Sequence, residues 1–184
     1  MRDILQLSAE EPLAFFKRLF WISLVLTLAT FAALAVIDQH LRSPVSPLGI
    51  VSFEVCAYAG SCRAIVESWG PGGQVWAALS LGVDYLFMVL YPATIFLGLL
   101  LVVVRVPDRL KKLTRGAAWA VWGAGAADAV ENYSLVQMLV SPAADGYAWP
   151  AAMFATAKFI VLGFTLAWLL VMYALFARGR TREP

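Results

Sequence analysis

The chain has 184 residues, of which 61% are hydrophobic and 14% are charged, and its mean hydropathy is +0.77. These values exclude an ordinary soluble domain and indicate an integral membrane protein. The formal net charge of +2 reflects how basic residues flank the apolar segments, as described below, and it indicates no nucleic-acid partner.

Four apolar segments follow one another along the chain, at residues 19–37, 75–104, 117–140 and 149–177. Each is long enough to cross a bilayer, because a membrane-spanning helix needs about 20 residues. The sequence therefore predicts an all-α protein, an integral membrane four-helix bundle that occupies residues 1–184 as a single domain. Residues 38–74 are predicted to form a loop between the first two helices, and residues 105–116 a shorter connection between the second and third.

Basic residues indicate the orientation of these four predicted helices. They cluster before the first segment, between the second and third, and after the fourth; the clusters contain Lys17 and Arg18, then Arg105, Arg109, Lys111, Lys112 and Arg115, and finally Arg178, Arg180 and Arg182. Because such clusters stay on the cytoplasmic side, both chain ends and residues 105–116 are predicted to be cytoplasmic. The expected location is a cell membrane, crossed several times, and a bacterial inner membrane fits best.

The external loop at residues 38–74 is predicted to be partly helical. Its apolar residues have the spacing of one face of a helix that is broken near Gly60. This helix would lie on the membrane surface or over a pocket between the membrane helices. Glu54 and Glu67 in this loop either face water or reach the pocket. Cys56 and Cys62 are a candidate disulfide if the helix breaks at Gly60, whereas a continuous helix would keep the two thiols apart.

Polar and ionisable residues interrupt the second, third and fourth apolar segments. The candidate ligand-binding residues are Asp84, Tyr91, Asp128, Glu131, Asn132 and Lys158. Counting 1.5 Å per residue from the cytoplasmic helix ends places the three carboxyl groups and the Lys158 ammonium group in the outer half of the membrane. Helical spacing also places Asp128, Glu131 and Asn132 on one face. We therefore expect these side chains to enclose one pocket that opens toward the outside.

The charges of this predicted pocket do not balance. Asp84, Asp128 and Glu131 provide three carboxyl groups, whereas Lys158 provides one cation. A poorly solvated site does not tolerate this surplus, so bound protons, a cation, water or a cationic ligand must compensate for it. The sequence predicts a membrane protein that binds a proton, a cation or a small lipid-like ligand, with transport as one use of such a site.

Two alternative functions remain open at this stage. In the first, the chain is a structural or assembly subunit whose polar cluster, with Lys158 bridging to Asp84 or Glu131, joins helices to one another. In the second, it is a membrane-embedded enzyme in which Asp128 or Glu131 acts as acid or base on a lipid-like substrate. The catalytic residues and any cofactor are unknown, and no metal site is predicted. Expected partners are membrane lipids and either a second copy of the chain or another membrane subunit.

Two further features concern helix packing. Pro92 lies inside the second segment and leaves the Met88 carbonyl without its helical donor, on the side predicted to face the pocket. The third segment carries a row of small residues that favours close packing against a neighbouring helix or a second copy; these residues are Ala120, Gly123, Ala124 and Ala127.

Overall fold

The structure is a computed structural model that describes the backbone of residues 2–141 and 144–176, with side chains from residue 13 onward. All its regular elements are helical: α1 (Arg2–Asp38), α2 (Ile50–Glu54), α3 (Cys56–Ala59), α4 (Cys62–Val103), α5 (Asp108–Val140) and α6 (Ala148–Phe176), with short 3₁₀ turns at Gln39–Leu41 and Asp145–Tyr147. The predicted all-α class is confirmed. Arg178, Arg180 and Arg182 of the predicted C-terminal cluster lie outside the described residues.

Three of the long helices are apolar enough to cross a membrane. The segments are Leu13–Leu41, Cys62–Val103 and Asp145–Phe176. The helix α5 contains the predicted third span but does not reach the same apolarity, because it carries Asp128, Glu131 and Asn132. Membrane association is therefore supported by three helices, while the complete four-helix membrane bundle and its orientation stay predictions.

The long helices pack in the order in which the chain forms them. α1 packs along α4, α4 along α5, and α5 along α6. The polar residues of α5 are turned inward against these neighbours, since Asp128, Glu131, Asn132 and Ser134 are all buried. Burying its polar face explains how a helix of low apolarity can pack between two apolar ones.

Helix α4 begins earlier than the sequence indicated. Residues 71–74, which were assigned to the external loop, are helical, and the helix direction changes at Gly70 instead. Gly70 has φ 59° and ψ −176°, a conformation that residues other than glycine rarely adopt. Pro71 follows it, at the position where the fixed φ of proline suits the first turn of a helix.

The connection between α4 and α5 is also shorter than expected. Helix α5 starts at Asp108, so only residues 104–107 separate the two helices, in place of the predicted stretch 105–116. Pro107 has an extended conformation just before α5, and Asp108 in the first turn pairs with Lys111 at 2.7 Å. An acidic residue in the first turn is favoured by the helix dipole, which helps α5 to start there.

The segment between α1 and α4 folds onto the ends of the long helices. The Ile50 backbone amide donates to Asp38 Oδ1 at 2.8 Å, which ties the start of α2 to the end of α1. Trp69 Nε1 donates to the Leu41 carbonyl at 2.7 Å, and the Phe53 ring is fully buried. Farther along, the Tyr58 hydroxyl lies 2.9 Å from Thr156 Oγ1 of α6. The segment is thus attached at several points.

A disulfide joins Cys56 and Cys62 across the turn between α3 and α4. Their Cα atoms lie 4.8 Å apart. Gly60 makes this approach possible, because it adopts the left-handed conformation with φ 63° and ends α3 at Ala59. The helix is therefore broken at Gly60, as the disulfide alternative required.

A thiol-labelling experiment tests this bridge. We expect an alkylating probe to label neither Cys56 nor Cys62 in the denatured protein until a reductant is added, because disulfide sulfurs carry no free thiol. Mass spectrometry would count the added groups, and Cys56→Ser serves as the control that exposes Cys62. Two labels on unreduced wild-type protein would contradict the bridge.

The proline in α4 faces a different neighbour from the one predicted. A Cβ atom added to Gly125 of α5 would lie 2.8 Å from the Met88 carbonyl oxygen and 3.1 Å from Pro92 Cγ. The carbonyl that Pro92 leaves without a helical donor therefore packs against α5 rather than facing the pocket. In the predicted small-residue row, Ala124 and Ala127 are buried within the chain, whereas Ala120 and Gly123 are exposed, so packing of these two against a second copy stays a prediction.

Candidate functional site

Lys158 of α6 contacts three carboxyl groups from two other helices. Its Nζ donates to Asp128 Oδ1 at 3.0 Å and to Glu131 Oε1 at 2.9 Å, and it lies 2.8 Å from Glu131 Oε2. Glu54 Oε2, from α2, lies 3.7 Å from the same nitrogen. We call Glu54, Asp128, Glu131 and Lys158 the carboxyl–lysine cluster. All four residues are buried, and Glu131 is completely inaccessible.

The helical period of α5 explains how two of these carboxyl groups reach one lysine. Asp128 and Glu131 are three residues apart, so they project from the same face of the helix toward α6. Of the two predicted partners of Lys158, the structure places Glu131 in contact with it. Asp84 lies outside the 4.0 Å range of an ion pair with this lysine.

Asp84 of α4 instead accepts a hydrogen bond from an amide. Asn132 Nδ2 donates to Asp84 Oδ2 at 2.7 Å, which links α4 to α5. Within the described residues, Asp84 forms no ion pair with a lysine, arginine or histidine. Its carboxyl group therefore has a hydrogen-bond donor but no countercharge.

Glu54 is the residue whose role the sequence left undecided. It points into the protein from α2, whereas Glu67 is exposed and pairs with Arg63 at 2.9 Å. Burial raises the pKa of the Glu54 carboxyl group above its ordinary value, more than the nearby Lys158 ammonium lowers it. Phe53, next to Glu54, is also fully buried, so both neighbouring side chains of α2 pack into the protein.

Tyr91 follows Asp84 along α4 and is only 4% exposed. Its hydroxyl group has no hydrogen-bond partner among the described residues. A buried hydroxyl without a partner costs free energy, so such groups are rare in proteins. Ser80, Asp84 and Tyr91 of α4 all line the same cavity.

This cavity has a volume of about 290 Å³ and lies beside the carboxyl–lysine cluster. Side chains from α1, α2, α4, α5 and α6 line it, including Asp84, Tyr91, Asp128, Asn132 and Lys158. Five of the six predicted ligand-binding residues therefore meet at one cavity, and the sixth, Glu131, contacts Lys158 but does not line the cavity. Arg42 and Asp38, which also line the cavity, form an ion pair at 3.2 Å.

The cavity and its immediate surroundings contain more acids than bases. Asp38, Glu54, Asp84, Asp128 and Glu131 contribute carboxyl groups, and Arg42 and Lys158 contribute the cations. Among the side chains that the structure describes, no three of His, Cys, Asp or Glu are arranged to hold a metal ion. The carboxyl groups of this cavity can bind protons. They can also bind a cation that keeps other ligands, such as water, in addition to the protein groups.

Comparison with known proteins adds no relative to this picture. No protein family, curated protein sequence or solved structure matches the chain.

Proposed function

We propose that the chain is a multi-pass membrane protein in which all four long helices cross the bilayer as one bundle. The length of α5, 33 residues, and its packing along both α4 and α6 support this proposal. Its connections to these helices are short, so it runs antiparallel to each of them through the same layer. The basic residues favour cytoplasmic ends and an external segment around α2 and α3.

Reporter fusions test this orientation. We expect reporters fused after Pro184 or inserted near Lys111 to indicate the cytoplasm, and one inserted near Ser61 to indicate the external side. The reason is the clustering of basic residues between α4 and α5 and near both chain ends. An external C-terminal reporter would contradict the orientation and move the cavity to the opposite half of the membrane.

We further propose that the cavity binds a small cation in the external half of the membrane, with proton binding on the same carboxyl groups as the competing event. The observation that carries this proposal is Asp84, a carboxyl group beside an open cavity without a countercharge in the described part of the chain. Lys158 lies outside ion-pair distance of Asp84, and three other carboxyl groups surround it. A bound cation would supply the missing positive charge.

A binding experiment with purified protein tests the proposed function. We expect methylammonium to raise the melting temperature of the wild-type protein in zwitterionic nanodiscs, and the shift to disappear in Asp84→Asn. The control is Asp145→Asn, the same chemical change at an exposed site away from the cavity. If methylammonium leaves the wild-type melting temperature unchanged at every concentration and pH tested, the proposed function is wrong.

A structural role is the second candidate, and one observation favours it. Lys158 joins α2, α5 and α6 through its three carboxyl partners, so the cluster holds these helices together whether or not a ligand binds. Interhelical polar contacts are a known source of stability in membrane bundles. The methylammonium experiment separates the two roles, because a purely structural cluster would give no shift that depends on Asp84.

A further inference from the structure

The cavity is lined by residues on both sides of a gap between α1 and α6, and we infer that it opens through this gap. Helix α1 packs along α4 and makes at most marginal contact with α6. Leu34 and Ala35 of α1 line the cavity on one side of this gap, and Leu162 of α6 lines it on the other. Phe31 and Phe159, which also line the cavity, are 58% and 42% exposed. We call this gap the side opening.

Helix α2 lines the end of the cavity that would face external water. Ile50, Val51 and Glu54 of α2 line the cavity from that end, and α2 packs on α4, α5 and α6. The Asp38 carboxylate holds the start of α2 through the Ile50 amide. In a four-span bundle, the side opening would face lipid acyl chains, and α2 would lie between the cavity and external water.

The interior of the cavity suits a positively charged head group with a free N–H bond. The Tyr91 hydroxyl, buried and without a partner among the described residues, can accept a hydrogen bond there, and Asp84 can accept a charge-assisted one. Aromatic rings complete the surroundings: the Phe87 and Tyr91 rings lie 5.3 Å apart, and ring faces attract cations. An anionic head group is disfavoured, because Lys158 and Arg42 already contact carboxylates.

We propose that the ligand is a long-chain alkylammonium, which enters from the bilayer through the side opening and places its ammonium group between Asp84 and Tyr91. Its hydrocarbon chain then lies between Phe31 of α1 and Phe159 of α6. This inference rests on the proposed cation site and adds the class of ligand and its route. With this route, the hydrocarbon chain of the ligand stays in contact with apolar groups throughout, first in the bilayer and then in the side opening.

Photo-crosslinking tests the inference. The probe is decylammonium with a diazirine near the end of its chain, added to wild-type protein in zwitterionic nanodiscs, and the comparison probe is the uncharged alcohol of the same chain. We expect the ammonium probe to label peptides containing Phe31 or Phe159 about tenfold more than the alcohol does, since charged hydrogen bonds contribute about this much. Excess unlabelled decylammonium should remove that difference.

Two variants test separately how the ammonium head group and the hydrocarbon chain of the probe contribute to labelling. Asp84→Asn should lower labelling by the ammonium probe to the level of the alcohol. Ala35→Trp, which fills the side opening, should reduce labelling severalfold while methylammonium still stabilises the protein; Ala33→Trp, an exposed position on α1 outside the cavity lining, is the matched control and should leave labelling unchanged.

Three outcomes would overturn the inference. Equal wild-type labelling by the ammonium and alcohol probes, or labelling confined to α2 and α3, would exclude this ligand class or this route. Unchanged labelling in Ala35→Trp would exclude the side opening. If methylammonium still gives its Asp84-dependent shift in any of these cases, the proposed function stands and only the present inference fails.

Discussion

Lys158→Met should produce the largest loss of stability of any single substitution considered for this protein. The change removes the one ammonium group that Asp128 and Glu131 contact directly and leaves these buried carboxyl groups without it. Breaking a buried ion pair from one side costs about 3–5 kcal/mol. For a chain of this size, we expect the melting temperature in detergent to fall on the order of 10 °C. Lys112→Met, at an exposed position near the start of α5, should change it little.

The double variant Lys158→Met with Glu131→Gln is the sharper measurement. Removing one carboxyl group together with the lysine reduces the unpaired negative charge, so part of the lost stability should return. The two substitutions should therefore be strongly nonadditive, because residues in one ion-pair network interact. Strict additivity would show that Lys158 and Glu131 do not share a site in the folded protein.

Gly125→Ala should be the second strongly destabilising change, by about 1–3 kcal/mol. The added methyl group would meet the Met88 carbonyl oxygen at 2.8 Å, and a backbone atom cannot move aside as a flexible side chain can. Gly123→Ala is the matched control, because an added Cβ there has no neighbour within 4 Å. It should be neutral or slightly stabilising, since alanine favours a helix over glycine.

Thermal unfolding of the two glycine variants in the same detergent would measure this difference. Equal melting temperatures for Gly125→Ala and Gly123→Ala would mean that α4 and α5 do not approach each other at Pro92. A loss in Gly123→Ala alone would point instead to a contact with a second copy of the chain through the exposed small residues.

Helical periodicity and rise were enough to bring Asp128, Glu131 and Lys158 together from the sequence. These rules describe positions along straight helices, and the three residues lie inside uninterrupted helical stretches. The partner of Asp84 was harder to predict, because a choice between Lys158 and Asn132 depends on helix rotation by a fraction of a turn. Periodicity does not fix that rotation; packing between neighbouring helices does.

The contribution of Glu54 depended on a segment that periodicity does not describe. Helix α2 has only five residues, and its position follows from the Asp38 carboxylate, the Gly49 turn and the disulfide near α3. Gly49 has φ 59°, and a side chain there would collide with Asp38. Contacts between residues distant in sequence set this geometry, and a single sequence does not reveal them. The same limit applies to Pro92, whose freed carbonyl was predicted to face the pocket but packs against Gly125.

The polar face of α5 also bears on how the protein is made. A carboxylate in the middle of an isolated helix opposes its insertion into a bilayer by about 2.5–3.5 kcal/mol. The lysine that compensates Glu131 is synthesised 27 residues later, in α6. If α5 crosses the membrane as proposed, this cost opposes its stable insertion before α6 is made. We then expect α5 and α6 to insert together, as a hairpin in which Lys158 already pairs with Asp128 and Glu131.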